Sequence, residues 1–304
     1  MRISTQAASQ SALMDLMRAQ REAFDARDQL SSGKKAPDLK GYAHTAETLM
    51  TARGAQVRTE TFINSNERLA SRLEVQDLAY RELSEAASEL REALTTADGT
   101  ALMNKVQEAF DRSLAALNTK FAGSFVFSGV RTDVAPISAS SLADLQAAVP
   151  DVTDVFINTG RRQTTRIDED TTLEINRTAF EVVGGLMASI ERIADFNAGP
   201  NGPFDGPVTP AQQAFLRGEI TQVIAAFETI NDAMGENGAK QARIEASLRG
   251  HRERDDYLTN MIADLEDADM AEAASRLNQA QTAVEVSART FASLSQVSLL
   301  PFLR

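Results

Sequence analysis

Apolar residues form two similar stripes at the ends of this 304-residue chain, with a different pattern between them. Leu13, Met17, Gln20, Phe24, Arg27 and Leu30 recur at steps of three or four, which places them on one face of a helix starting near Thr5. Sustained, that spacing is the heptad seam of a coiled coil, here interrupted by two polar residues and widened by Met14 and Leu16. The stripe stops at Ser31-Ser32-Gly33, and Pro37 and Gly41 punctuate the loop that follows. At the other end Leu258, Ile262, Leu265, Asp269, Ala273, Leu277, Ala280, Val284, Ser287, Phe291 and Leu294 carry the same spacing. They predict one helical stretch from about Ala239 toward Leu299, closed by Pro301.

Inside these ends the pattern predicts a long helix from about Ala43 to Thr96, most regular over Leu69, Leu73, Gln76, Tyr80, Leu83, Ala87, Leu90 and Leu94. Asp98-Gly99-Thr100 breaks it, and a further helix carries Leu102, Val106, Phe110, Leu117 and Phe121. From Gly123 the period shortens. Phe125–Phe127, Val152–Thr159, Thr164–Ile167 and Thr172–Asn176 have the alternating, β-branched character of strands, with a short helix expected over Ser138–Val149. Helical character returns over Ala179–Phe196 and ends in the Gly/Pro loop 197–207, whose prolines and glycine spacing do not make a phosphate-binding fingerprint. Thr209-Pro210-Ala211-Gln212 then restarts a helix, with Thr209 and Gln212 placed for a capping box and Pro210 suited to the first turn. Phe215, Val223, Phe227 and Ile230 give it a buried face, and Gly235 and Gly238 are expected to end it.

Composition narrows the picture. Hydrophobic residues make up 43% of the chain but aromatics only 6%, with no Trp, and Ala and Leu dominate the apolar set, which favours long thin helices over a thick core. A net charge of −12 argues against a nucleic-acid partner. The charge is uneven: residues 1–40 carry seven bases and five acids, whereas Asp255–Glu272 carry seven acids and no base. That run reads as a solvated face or as the partner of a basic surface. With no Cys there is no disulfide framework and no Cys-ligated metal, which suits a chain threaded unfolded through a narrow conduit. Met1–Gln6 lack the apolar core of a secretory signal, and no apolar run is long enough for a membrane helix, so membrane insertion is not expected.

Catalytic and metal chemistry find little support. His44 and His251 are read as surface residues on helices, with no nucleophile or third ligand at a useful spacing. Asp267 and Asp269 point to different faces of a helix and cannot form a carboxylate dyad. Asp168-Glu169-Asp170 reads as a solvated hairpin turn, and Arg161-Arg162 is too short for a nucleic-acid patch. No enzyme activity and no cofactor are expected.

Three motifs, in order and at matching distances from the ends, resemble the bacterial flagellin family. Leu30-Ser31-Ser32-Gly33-Lys34 is similar to the family's Leu-Ser-Ser-Gly turn after the first helix. Gly238-Ala239-Lys240-Gln241-Ala242-Arg243-Ile244-Glu245 resembles its Gly-Ala-x-Gln-Asn-Arg-Leu-Glu signature, and Asp267-Ala268-Asp269-Met270-Ala271-Glu272 its Asp-x-Asp-hydrophobic-Ala-Glu signature. Ala36-Pro37-Asp38-Leu39-Lys40-Gly41 departs from the family's loop and keeps only Asp38 and Gly41. Within the family, the segment from Gly123 to Ile137 is most similar to the members that join hook to filament.

The resemblance implies a structural subunit of the flagellum. It would be exported unfolded by the flagellar secretion apparatus without a cleaved signal, held beforehand by a cytoplasmic chaperone, and placed extracellularly at the hook–filament junction. Its partners would be copies of itself, a neighbouring hook-associated protein and flagellin. The alternative within the family is flagellin, the filament subunit itself. The expected fold is α+β and mainly α. A helical half over 1–122 and another over 177–304 pair their terminal helices as a coiled-coil-like rod, with a small β-rich domain over 123–176. The expected assembly interface is Leu13, Met17, Phe24 and Leu30 on the first helix with Leu277, Val284, Phe291 and Leu294 on the last.

Overall fold

The computed structural model describes residues 2–95, 98–148, 151–157 and 160–297, with side chains from residue 7 to residue 294 within them. The expected stop at Pro301 lies outside these residues. So do the ends of the segments expected to close at Thr96, Val149 and Thr159.

The chain is mainly helical, as expected. Helices α1 (Arg2–Ser32), α2 (Ala46–Ala93) and α3 (Leu102–Leu117) precede the β-rich stretch, which holds α4 (Leu142–Gln146), and α5 (Ala179–Ala198), α6 (Pro210–Glu266) and α7 (Met270–Val297) follow it. Strands β1 (Lys120–Phe121) and β2 (Ser124–Phe125) form one antiparallel pair, and β3 (Thr164–Arg166) and β4 (Thr172–Glu174) another. Contacts divide the chain into two units. One is made by its two ends, up to Glu60 and from Glu253, and the other by Thr61–Arg252.

The middle unit has two apolar cores. The larger joins Tyr80, Leu83 and Leu90 of α2, and Leu94 just beyond it, to Val106 and Phe110 of α3, Leu186 and Ile190 of α5, and Val223 and Ile230 of α6. Val126, Phe127, Ile137, Leu145 and Phe156 of the β-rich stretch enter the same core. The smaller core seats Ile167, Leu173 and Ile175 around the β3–β4 hairpin on Leu69 and Leu73 of α2 and Ile244 and Leu248 of α6. The turn between β3 and β4 is Asp168-Glu169-Asp170, as its composition implies, with Ile167 N donating to Thr171 O at 2.9 Å.

Caps follow the sequence closely. Thr209 N donates to Gln212 Oε1 at 2.9 Å and Gln212 N to Thr209 Oγ1 at 3.3 Å, closing the box that starts α6. Asp38 is the cap of a 3₁₀ turn over Leu39–Thr45, where it accepts from Lys40 N and Gly41 N.

Four expectations need correction. Gly235 and Gly238 do not end a helix: α6 continues through both to Glu266. Each glycine costs about 1 kcal/mol against alanine, but Ile230, Ala233, Asn237 and Ile244 are buried along the same run and hold the helix in place. The last stretch is not one helix from Ala239, because it breaks between Glu266 and Met270. Val152–Val155 is a 3₁₀ turn rather than a strand, because the Asp151 carboxylate accepts from Thr153 N at 2.8 Å and satisfies locally what a neighbouring strand would have. His251 is buried rather than a surface residue. Its ring stacks on Phe62 at 5.2 Å, and its Nε2 shares Ile167 O, at 3.0 Å, with Asn66 Nδ2 at 2.9 Å and Ser247 Oγ at 3.0 Å. A polar carbonyl in the small core is thereby fully satisfied, and the network fixes the hairpin to α2 and α6. His44 is exposed, in the 3₁₀ turn.

Candidate assembly surface

In the unit made by the chain ends, α1 packs against α7. Ala8, Ser11 and Ala12 share a cleft with Ser287 and Leu294, and Lys34 pairs with Asp267 at the opposite end, so the two helices run antiparallel. The buried positions of α1 are Ala12, Ala19 and Ala26, seven residues apart, with Leu16, Ala23 and Leu30 half-buried between them. On α7 Ala273 and Ala280 are buried, and Leu277, Val284, Ser287, Phe291 and Leu294 continue the same row half-buried. Both rows step four, three, four, three, so each is a heptad seam. One layer in two is alanine or serine, apart from Leu294, and the larger side chains occupy most of the alternate layers.

The seam of α1 is therefore not the stripe read from the sequence. Leu13, Met17 and Phe24 are 42%, 53% and 61% exposed, and Met14 is 65% exposed. At about 100° per residue the three lie about 140° round the helix from the alanine row. Periodicity weighted by size selects Leu, Met and Phe, the face left open, whereas the seam that meets α7 is made of small residues. The missed signal is the strict seven-residue spacing of Ala12, Ala19 and Ala26. Of the eight residues expected at the interface, Leu30, Leu277, Val284, Phe291 and Leu294 take part in the rows between α1 and α7. Leu13, Met17 and Phe24 face solvent.

The break before α7 is where the first and third motifs meet. Gly33, at φ +71°, closes α1, and its N–H donates to Gln29 O at 2.9 Å. Gly33 O then accepts from Ala268 N at 2.9 Å, and Lys35 N donates to Glu266 O. Lys35 Nζ donates to Asp264 O at 2.5 Å and Leu265 O at 3.1 Å, so a cation caps the carbonyl end of α6. Lys34 Nζ lies 2.7 Å from Asp267 Oδ1 and 3.2 Å from Glu266 Oε2, and Arg53 pairs with the same Glu266. The Glu266 carboxylate is buried, so two cations on one acid offset its desolvation. The hydrogen bond to Asp267, then that to Glu266, holds the Lys34 ammonium above its ordinary value. Asp269 Oδ1 accepts from Ala271 N at 2.9 Å and Glu272 N at 3.0 Å and so starts α7. Two acids of the run, Glu266 and Asp267, are thus answered within the chain by Lys34 and Arg53, rather than belonging to a uniformly solvated face.

The other two motifs serve the middle unit. Gln241 Nε2 and the adjacent Asn237 Nδ2 both donate to Leu73 O at 3.0 Å, and Ile244 is fully buried, so the Gly238–Glu245 motif docks α6 on α2. In the Gly123–Ile137 segment Val126, Phe127 and Ser128 are buried. Ser128 Oγ donates to Val134 O at 2.6 Å, and Asn176 Nδ2 to Val126 O at 3.3 Å. Arg162, read as half of a weak basic patch, is bound to Glu181 at 2.9 Å and Glu174 at 3.1 Å.

Among the described residues no helix is long and apolar enough to cross a membrane, and no three His, Asp or Glu side chains gather as a metal site. The family model of the bacterial flagellin C-terminal helical region matches residues 220–303. No curated protein sequence matches the chain. Two solved structures share its fold at low identity. A Vibrio parahaemolyticus protein assigned as a flagellar hook-associated protein is 18% identical, with a TM-score of 0.61 over 73% of this chain and 97% of that one. Bacillus cereus FlgL is 10% identical, with a TM-score of 0.53 over 71% of this chain and 99% of that one. The resemblance to the flagellin family thus rests on a sequence match over most of α6 and α7, and on a fold shared with a hook-associated protein and with FlgL.

Proposed function

We propose that this chain is a structural subunit of the bacterial flagellum, placed outside the cell, and that it assembles with copies of itself through the exposed face of α1. One observation carries the reading: Leu13, Met14, Met17 and Phe24 stand in solvent on a helix whose other face is already occupied by α7. Four of the six residues in the α1 seam, Ala12, Ala19, Ala23 and Ala26, are alanine, so pairing with α7 removes little apolar area from water. Leu13, Met17 and Phe24 are already about half covered, so burying the rest against a neighbour adds roughly 1 kcal/mol each, before the cost of ordering the partners is subtracted.

Within the flagellum we assign it to the junction between hook and filament, with a neighbouring hook-associated protein and flagellin as further partners. The Gly123–Ile137 segment, most similar to junction members of the family, supports that position. Export unfolded, with a chaperone on the C-terminal helix, is part of the same reading, and the absence of cysteine suits it.

A strain deleted for the gene tests the proposal by electron microscopy. Hooks without filaments, with flagellin lost to the medium, are expected. Normal filaments would refute the junction role, and a chain that dominates sheared flagella would mark the filament subunit instead. The double variant L13D/F24D is expected to abolish incorporation while α1 still pairs with α7. The expected loss of incorporation in F291D or L294D carries less weight, because both residues also lie in the row facing α1.

A further inference from the structure

Among the described residues the exposed methionines fall in one of the two units, where Met261 is half-buried. There is no cysteine, so methionine is the only oxidisable sulfur. Met14, Met17, Met50 and Met270 are exposed, and all four belong to the unit made by the chain ends. In the middle unit Met187 is buried and Met103 and Met234 are half-buried. Two of the exposed four, Met14 and Met17, sit beside Leu13 and Phe24 on the open face of α1.

We propose that Met14 and Met17 are a modification site for peroxides, and that their sulfoxides prevent the subunit from joining an assembly. The inference rests on the reading that this face is covered by a second copy of the chain. The thioether sulfur attacks one peroxide oxygen, the O–O bond breaks, and an S=O bond forms. The sulfur loses two electrons, the peroxide is reduced, and water leaves when the oxidant is hydrogen peroxide. A flexible apolar side chain becomes a polar, chiral one, which cannot enter a dry helix–helix contact without losing the water bound to its oxygen. Exposure makes the reaction available to the free subunit, and the covering copy withholds it in the assembly. Oxidation therefore acts before incorporation and not after it.

The purified full chain, untreated or treated with hydrogen peroxide, is supplied to cells deleted for its gene, and its incorporation is read by antibody on sheared flagella. Peptide mass spectrometry locates the sulfoxides. In the free chain Met14 and Met17 are expected to oxidise with Met50 and Met270, ahead of Met103, Met187 and Met234. In assembled flagella given the same dose, Met14 and Met17 are expected to stay reduced. Oxidised chain is expected to incorporate about tenfold less than untreated chain, and peroxide is expected to leave the incorporation of M14L/M17L at that variant's own untreated level. Undiminished incorporation of the oxidised chain would overturn the proposal. So would an equal loss in M14L/M17L, which would place the damage at another methionine. The L13D/F24D variant separates the two claims: if it incorporates normally the assembly face itself is wrong, whatever the sulfoxides do.

Discussion

At Gly129 the backbone sits at φ +63°, and a Cβ there would lie 2.4 Å from Arg161 O. Gly129→Ala is therefore expected to destabilise the middle unit by at least about 1–3 kcal/mol, measured by urea unfolding, because both the dihedral and the space exclude a side chain. The sequence pointed to the segment around it through its likeness to the family; its reason is this turn. Two glutamates give the unit an acid-sensitive margin. Burial pushes Glu181 up, but hydrogen bonds from Arg162 and Thr178 outweigh it and leave the carboxyl below its usual value. At Glu236 the hydrogen bond from Arg177 does the same, against burial. With the folded values depressed, this stabilisation is present above the ordinary glutamate range and is lost as pH falls through it. Arg162→Met is expected to shrink the fall in melting temperature between pH 6 and pH 3.5, and an unchanged fall would show that Glu181 contributes nothing. His251 marks the limit of sequence reading at this scale. Its neighbours Arg252 and Glu253 suggested a surface, and only the arrival of Ile167, from 84 positions away, buries it.

Single elements were legible where side chains are large or caps are polar. The capping box of α6, the Gly/Pro loop before it and the turn between β3 and β4 follow from local chemistry and were readable. The continuation of α6 was not, because glycine normally marks a helix end and here tertiary contacts on both sides of Gly235 and Gly238 override it. A Cβ at either position meets nothing within 4 Å. Gly235→Ala and Gly238→Ala are each expected to raise stability by about 0.5–1 kcal/mol, read as an upward shift in the urea midpoint. A loss of stability in either would mean that the position needs a backbone freedom the helix does not reveal. The small-residue seam of α1 was not readable from bulk, and Val152–Val155, the first part of an expected strand, yielded to one aspartate satisfying a nearby amide.

For the molecule as a whole, the mainly helical fold and the pairing of the terminal helices were readable, since they rest on the longest periodic stretches. The partition of contacts at Glu60 and Glu253 was not, because α2 and α6 pass through both positions with no break in pattern. The alanine-lined ends are expected to open before the middle does, so limited proteolysis of the free chain should leave a fragment from roughly residue 45 to residue 260. Equal resistance at both ends would count against that order of opening. Replacing Lys34 and Arg53 together by alanine strands the buried Glu266. The cost is expected at about 3–5 kcal/mol, seen as earlier cleavage within α1. The same corner has a geometric consequence. Alternating small and large layers fit nearly as well after a shift of one repeat, about 10 Å along the axis, so the ladder between α1 and α7 cannot count its own rungs. The ties from Lys34 and Lys35 to residues 264–267 act as its index mark, and they fix which rung of one helix meets which rung of the other.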